Sequence, residues 1–125
     1  MQHWLLVRGR GDRPLPRLHG DRVEWHHSSR RPAIARGELA VLYASVWQAV
    51  YGIAEVTGEA EHDPSRDRWA WRFPLRPLAV VDDLDFAPPA EEAGVFPSSL
   101  WRHSYIRLTP EQFERARELI DLRRG

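Results

Sequence analysis

Apolar and polar residues alternate in several short stretches of this chain, separated by segments rich in glycine, proline and charge. Alternation with a period of two is typical of β-strands that bury one face. The alternating stretches predict strands over residues 3–7, 22–26, 69–75 and 101–108, and in the third of these the aromatic residues 69, 71 and 73 share one face. Residues 82–93, with two prolines in the middle, predict a charged loop or a broken helical turn.

Two continuous apolar runs lie in the middle of the chain, over residues 38–44 and 49–58, with a short turn between them. A continuous run of this length, bounded by turn residues, indicates a strand that is buried on both faces. The two runs therefore predict a central hairpin. Gly52 lies inside the second run, where a glycine marks a bulge or a close approach of another backbone.

Helix signals are few. Ser29 is a plausible N-cap for a short helical turn over residues 30–35, with Pro32 in its first turn. Thr109-Pro110-Glu111-Gln112 is a capping box with proline at the first helical position, and it predicts a C-terminal helix. With five or six strands, the chain is predicted to be α+β: a small mixed β-barrel with one or two flanking helices, in one domain over residues 1–125.

Composition excludes several classes of protein. The 125 residues contain no cysteine, so disulfides, thiolate metal sites and thiol nucleophiles are excluded. No apolar stretch is long enough for a membrane span, and the apolar N-terminal stretch is too short for a signal-peptide core. We therefore expect a soluble cytoplasmic protein that makes no membrane contact.

Arginine and tryptophan are the unusual residues. All 18 cationic side chains are arginine, and they balance 18 acidic ones, so any nucleic acid must be bound by a local basic patch. Tryptophan is large and its N–H needs a partner when buried. Of the six tryptophans, Trp4, Trp69 and Trp101 are predicted to be core. For Trp25, Trp47 and Trp71, core and ligand-binding roles both stay open.

An ordered set of short motifs resembles a known family. The motifs are Trp4-Leu5-Leu6, Gly52-Ile53-Ala54-Glu55-Val56, Leu75-Arg76-Pro77-Leu78, Arg102-His103-Ser104 and Leu108-Thr109-Pro110-Glu111-Gln112-Phe113. Their order and approximate spacing are similar to those of EVE domains. These belong to the PUA-like superfamily, which also holds the ASCH domains and the YTH readers of methylated adenine. The resemblance covers nearly the whole chain.

The resemblance implies a non-catalytic reader of nucleic acid, DNA or RNA, that needs no cofactor. One end of its barrel would hold a flipped, modified base between aromatic side chains. Carried over, the base-binding pocket would contain Trp25, His26, Ser28, Trp47, Trp71, Arg102 and Ser104. His103 replaces the glutamine that the family carries between its arginine and serine. Arg30 and Arg31 follow the pocket directly, and we expect them to contact phosphate.

Three other interpretations compete with the reader. A small-molecule or protein-interaction module on the same fold, also non-catalytic, would use the aromatic pocket for a metabolite. A zinc site would need His26 or His27 to join other histidines, among His3, His62 and His103, but adjacent histidines on a strand face opposite ways. A hydrolase would use Ser28 or Ser29 with a neighbouring histidine and Asp21, yet no Gly-x-Ser-x-Gly motif is present.

Overall fold

A computed structural model describes residues 1–8, 24–100 and 103–124. Its strands are β1 (His3–Arg8), β2 (Glu24–Ser28), β3 (Leu39–Ala44), β4 (Ala49–Val56), β5 (Glu61–His62), β6 (Trp71–Val80) and β7 (Tyr105–Leu108). One α-helix, α1 (Pro110–Arg123), follows the last strand. Short 3-10 turns occupy Leu84–Phe86, Ala90–Ala93 and Pro97–Leu100.

The strands form one curled mixed sheet in the order β2-β6-β4-β3-β1-β7, and β5 pairs with the start of β6. Neighbouring strands are antiparallel except β1 and β3, which run parallel. The two ends of the sheet, β2 and β7, approach each other and partly close a barrel, with α1 on its outer side. The predicted α+β class, with a small mixed barrel and a flanking helix, is confirmed.

The central hairpin is built as its apolar runs predict. Residues 40–44 of β3 are all buried, and so is β4 apart from Glu55, which is half-buried. Gly52 allows a close approach: a Cβ there would lie 2.9 Å from the carbonyl oxygen of Ala79 and 3.1 Å from Cδ1 of Leu42. The register shifts on both sides of this glycine, between Leu42 and Tyr43 and between Ile53 and Ala54. The predicted irregularity at Gly52 is therefore confirmed.

Both faces of the central sheet are buried, against different partners. On the outer face the ring of His3 stacks on Phe113 of α1, with centroids 4.1 Å apart. The inner face carries Trp4 and Leu6 of β1 and Phe73 of β6, all buried. The curl of the sheet covers this inner face, so the barrel interior is a packed core. Trp4 is confirmed as a core residue.

The helix α1 begins at the predicted capping box. Oγ1 of Thr109 accepts from the N–H of Gln112 at 3.1 Å, and Oε1 of Gln112 accepts from the N–H of Thr109 at 2.9 Å. Phe113, Ala116 and Ile120, which recur at helical spacing, are buried against the sheet. Among the described residues, no helix is long and apolar enough to cross a bilayer.

The predicted helical turn over residues 30–35 is wrong. Residues 31–35 have no regular secondary structure. Proline disfavours the helical conformation in the residue before it, here Arg31. The N–H of Ala35 is instead bound by Oε1 of Glu38 at 2.7 Å, which holds the segment in a non-helical conformation.

Several strand boundaries also differ from the prediction, and β7 begins at Tyr105, later than the predicted residue 101. The second strand lies at Glu24–Ser28, later than the predicted 22–26, and residues 9–23 lie outside the described chain. Trp69 precedes β6 and has a φ of 49°, in the left-handed region, so the predicted alternation of aromatics begins at Trp71. Trp69 is half-buried, so its predicted core position is wrong, and Trp101 lies outside the described residues.

Candidate functional site

The antiparallel pair β2 and β6 carries four of the residues predicted to bind the base. Its register pairs Trp25 with Pro74, His26 with Phe73, His27 with Arg72 and Ser28 with Trp71. Residues directly opposite each other on paired strands share a face of the sheet. His26, Ser28 and Trp71 therefore face the barrel interior with Phe73, whereas Trp25 and His27 face outward. The structure does not bring Trp25 and Trp71 to one side.

His26 connects the two edge strands of the barrel. Its Nε2–H donates to the carbonyl oxygen of Ser104 at 2.8 Å, just before β7, and its ring packs against Phe73 with centroids 5.5 Å apart. Burial and the nearby charge of Arg8 lower the pKa of His26 to about 3. The imidazole is thus neutral at physiological pH, with its proton on Nε2 and an acceptor at Nδ1.

Ser28 and Trp71 continue the inner face beyond His26. Ser28 is fully buried, and its hydroxyl donates to the carbonyl oxygen of Arg30 at 2.7 Å. Trp71 is half-buried. Its ring meets the edge of His62 at a centroid distance of 5.3 Å, and the guanidinium of Arg31 lies 5.7 Å from its centroid. Arg30 and Arg31 are both exposed, on the segment that leaves β2.

The outward side of this strand pair combines an aromatic ring with arginines and the acids that pair with them, Glu61 and Asp63. The guanidinium of Arg72 lies 4.3 Å from the ring centroid of Trp25 and is held by Glu61 at 2.8 Å. Nη1 of Arg66 lies 3.3 Å from Nε2 of His27. Burial first, and then the charges of Arg66 and Arg72, lower the pKa of His27. We call Trp25, His27, Arg66 and Arg72 the outer Trp25 surface.

The remaining predicted pocket residues are dispersed. Trp47 lies in the turn between β3 and β4, where its Nε1–H donates to Oδ1 of Asp85 at 3.1 Å. Within residues 24–100, no ring contact joins any two of Trp25, Trp47 and Trp71. Ser104 contributes its carbonyl, which also accepts from the N–H of Val7 at 3.0 Å. Arg102 lies outside the described residues.

From the sequence, Arg8, the last residue of β1, is expected only to converge with Arg30, Arg31, Arg36 and Arg102 on the aromatic pocket if phosphate is bound there; its buried position is not predicted. Arg8 faces the interior like Trp4 and Leu6, and a side-chain hydrogen bond links it to the buried hydroxyl of Tyr51. Its Nη1 atom is buried and has no hydrogen-bond partner among the described residues. Burial raises the pKa of Tyr51, so both it and His26 stay neutral beside the cation. The alternation of residues in β1, extended by one residue beyond Val7, would have placed Arg8 on the inner face.

The zinc-site and hydrolase interpretations depend on the same histidines and serines of β2. His26 and His27 face opposite ways, as expected for neighbours on a strand. Across residues 1–8, 24–100 and 103–124, no three His, Asp or Glu side chains lie close enough together to hold a metal ion. Ser28 and His26 share a face, but each donates its hydrogen bond to a backbone carbonyl.

Neither a protein-family model nor a curated protein sequence matches this chain. Several solved structures do match it. A hypothetical protein from Leishmania major has a TM-score of 0.75 at 13% identity, over 100% of this chain and 98% of that one. A protein from Agrobacterium tumefaciens has a TM-score of 0.69 at 16% identity, over 100% and 99%.

A third similar structure was solved as a complex with a ligand. Human THYN1, in complex with DNA containing 5-methylcytosine, matches with a TM-score of 0.63 at 16% identity, over 100% of this chain and 99% of that one. Identities this low establish the fold alone. The chain therefore shares the small mixed-barrel fold of these structures, as its sequence predicts, and its membership of the EVE family and of the PUA-like superfamily stays a prediction.

Proposed function

We propose that this chain is a non-catalytic nucleic-acid-binding module that accommodates a flipped, modified base. The observation that carries the proposal is the pairing of guanidinium groups with indole rings on the two sides of the β2–β6 pair, exposed Arg31 with Trp71 and half-buried Arg72 with Trp25. The fold adds support, because human THYN1 shares it and was solved in complex with DNA that contains 5-methylcytosine.

The chemistry of these pairs suits a nucleic acid. A base stacks on an aromatic face with about 1–3 kcal/mol, whatever its identity. Arginine can stack in the same way, and its planar group also binds phosphate in a bidentate manner. Arg31 is exposed, so its guanidinium can leave the ring of Trp71 and bind a phosphate while a base takes its place. The net charge of zero is compatible with this, because the arginines act locally.

Because Trp71 and Trp25 lie on opposite faces of the β2–β6 pair, we assign them to different parts of the ligand. Trp71 shares its face with Ser28 and His26, at the barrel interior, and we assign it to the flipped base. Trp25 lies outside with Arg72, and we assign the outer Trp25 surface to a neighbouring nucleotide. One base cannot be sandwiched between Trp25 and Trp71 in this arrangement.

Trp71→Ala tests the stacking role. We expect it to weaken binding of an oligonucleotide by about 1–3 kcal/mol, the value of one stacking contact, and to leave the fold intact because Trp71 is only half-buried. Fluorescence anisotropy against a panel of oligonucleotides with different modified bases, together with thermal melts, measures both effects. The matched control is Phe86→Ala, which removes another exposed aromatic ring, beside α1. A large fall in melting temperature without a binding defect would show that Trp71 is structural.

Arg30→Ala combined with Arg31→Ala tests the phosphate contacts. The double variant should weaken modified and unmodified oligonucleotides about equally, because phosphates carry no base information. Each lost phosphate contact should also reduce the slope of log affinity against log salt concentration by roughly one unit. A salt titration on one oligonucleotide pair measures this, with Arg115→Ala and Arg117→Ala on α1 as the control of equal charge. An unchanged slope would favour the metabolite-binding alternative.

A further inference from the structure

His62 lies beside Trp71 on the same face of the sheet. The register pairs His62 of β5 with Trp71 of β6, and it pairs Trp71 with Ser28 of β2 on the other side. Side chains that are directly opposite on neighbouring strands share a face. The rings of His62 and Trp71 are in contact, with centroids 5.3 Å apart and planes at 72°. The imidazole is therefore an immediate neighbour of the ring that we assign to the flipped base.

Arg31 reaches the same ring from the segment that follows β2. Ser28 is fully buried, and its hydroxyl donates to the carbonyl oxygen of Arg30 at 2.7 Å, which fixes the chain where it leaves the strand. The guanidinium of Arg31 then lies 5.7 Å from the centroid of Trp71. An exposed imidazole and an exposed guanidinium thus flank one half-buried indole.

Two carboxylates of this region bind Arg72, on the other face of the sheet. Glu61 lies 2.8 Å from the Arg72 guanidinium, and Asp63 lies 3.7 Å from it. Within residues 1–8, 24–100 and 103–124, neither Arg31 nor His62 forms an ion pair with a carboxylate. The side of Trp71 thus presents nitrogen donors that are not paired with these acids, an arrangement that suits an anion.

We propose that His62 donates to the phosphate of the nucleotide whose base stacks on Trp71, so that the recognised unit is a nucleotide with its phosphate and not a base alone. This inference rests on the proposed function and names a further binding residue for it. One sugar separates a base from its phosphate, so the phosphate of a stacked nucleotide comes to the edge of the indole, beside His62 and Arg31. Arg31 supplies a charged donor and His62 a ring N–H, and phosphate oxygens accept from both.

The test compares a nucleoside with its monophosphates at this one ring. Deoxycytidine, deoxycytidine 5′-monophosphate and deoxycytidine 3′-monophosphate are titrated into the isotope-labelled chain. The indole N–H resonance of Trp71, identified by its absence from Trp71→Phe, reports binding in nuclear magnetic resonance spectra. We expect the better of the two monophosphates to bind about 10-fold more tightly than the nucleoside, a modest gain for two charge-assisted hydrogen bonds because both donors are exposed.

His62→Phe keeps an aromatic ring beside Trp71 and removes the donor. It should reduce the preference for the monophosphate to about 3-fold, because two independent contacts of equal strength multiply, and it should leave the affinity for the nucleoside unchanged. Adding Arg31→Ala should abolish the preference. His3→Phe is the matched control, since it makes the same change in a ring stacked on Phe113 of α1, and it should retain the full preference. His62 is exposed, so His62→Phe should melt at the temperature of the wild type.

Oligonucleotide binding separates this inference from the proposed function. His62→Phe should weaken binding of the oligonucleotide panel by the same factor of about 3 in fluorescence anisotropy. A wild-type chain that binds oligonucleotides, with His62→Phe binding them and the monophosphates equally well, would overturn the role of His62 and leave nucleic-acid binding intact. A chain that binds the monophosphate through His62 but binds no oligonucleotide would overturn the proposed function and leave a site for a free nucleotide. Failure to bind any of these ligands would overturn both.

Discussion

Phe73→Ala should lower the free energy of unfolding by about 3–5 kcal/mol, the usual loss for a fully buried phenylalanine. Phe73 is completely buried and is the largest fully buried side chain described. Its ring packs against the imidazole of His26, so truncation leaves a cavity beneath the residue that joins β2 to the start of β7. Domains of this size are stable by about 5–15 kcal/mol, so the variant should be close to its unfolding threshold.

Urea unfolding followed by tryptophan fluorescence measures this loss. Phe86→Ala provides the matched control, because it deletes the same ring from a position that is 54% exposed. Phe86→Ala should lower the free energy of unfolding by only a small fraction of the loss caused by Phe73→Ala, since little buried apolar surface is returned to water. Equal losses in the two variants would mean that β6 does not present Phe73 to the barrel interior.

Glu38→Ala should cost about 3 kcal/mol, because this carboxylate accepts three hydrogen bonds from separate parts of the chain. Its oxygens accept from the N–H of Ala35 at 2.7 Å, from Nε1–H of Trp4 at 3.1 Å and from the N–H of Gln2 at 2.9 Å. Alanine would leave these donors without an acceptor, including that of the buried Trp4. Glu38→Gln retains one carbonyl oxygen and should lose less.

The contribution of Glu38 should depend on pH. Burial acts to raise the pKa of this carboxyl, but the hydrogen bonds from Ala35, Gln2 and Trp4 outweigh it and hold the pKa below its ordinary value of 4.5. The folded state therefore binds the proton less readily than the unfolded state, and the stabilisation is present above the ordinary pKa. This stabilisation should disappear as the pH falls through the pKa of Glu38 in the folded state. Urea titrations of wild type and Glu38→Ala between pH 7 and pH 3 should converge, and a constant difference would contradict this.

Local signals in the sequence predicted the elements whose partners are adjacent in the chain. The capping box at Thr109 and the apolar runs on either side of the turn before Ala49 need no distant residue to act. The N-cap signal at Ser29 failed for the opposite reason. The segment after it is held by Glu38, which also binds Trp4 and Gln2 far away in sequence, and no local pattern reports that.

The predicted aromatic pocket depends on strand alignment, which local sequence patterns do not specify. Alternation within β2 and within β6 predicts which residues of each strand share a face, but not how the two strands are aligned. The observed register places Trp25 opposite Pro74, and a shift by one residue would have brought Trp25 and Trp71 to one side. The buried position of Arg8 was not predictable for a similar reason, because its hydrogen-bond partner Tyr51 and its neighbour His26 belong to other strands.

The position of β1 in the sheet has a consequence for how the chain folds. β1 lies between β3 and β7, and it pairs His3 with Leu108, so nearly the whole chain must be closed into a loop before this ladder forms. Such non-local pairing makes folding slow, whereas the hairpin of β3 and β4 can form early. Arg8 ends β1 and Ser104 leads into β7. We therefore expect the contacts of Arg8 with Tyr51 and of Ser104 with His26 to be assembled last.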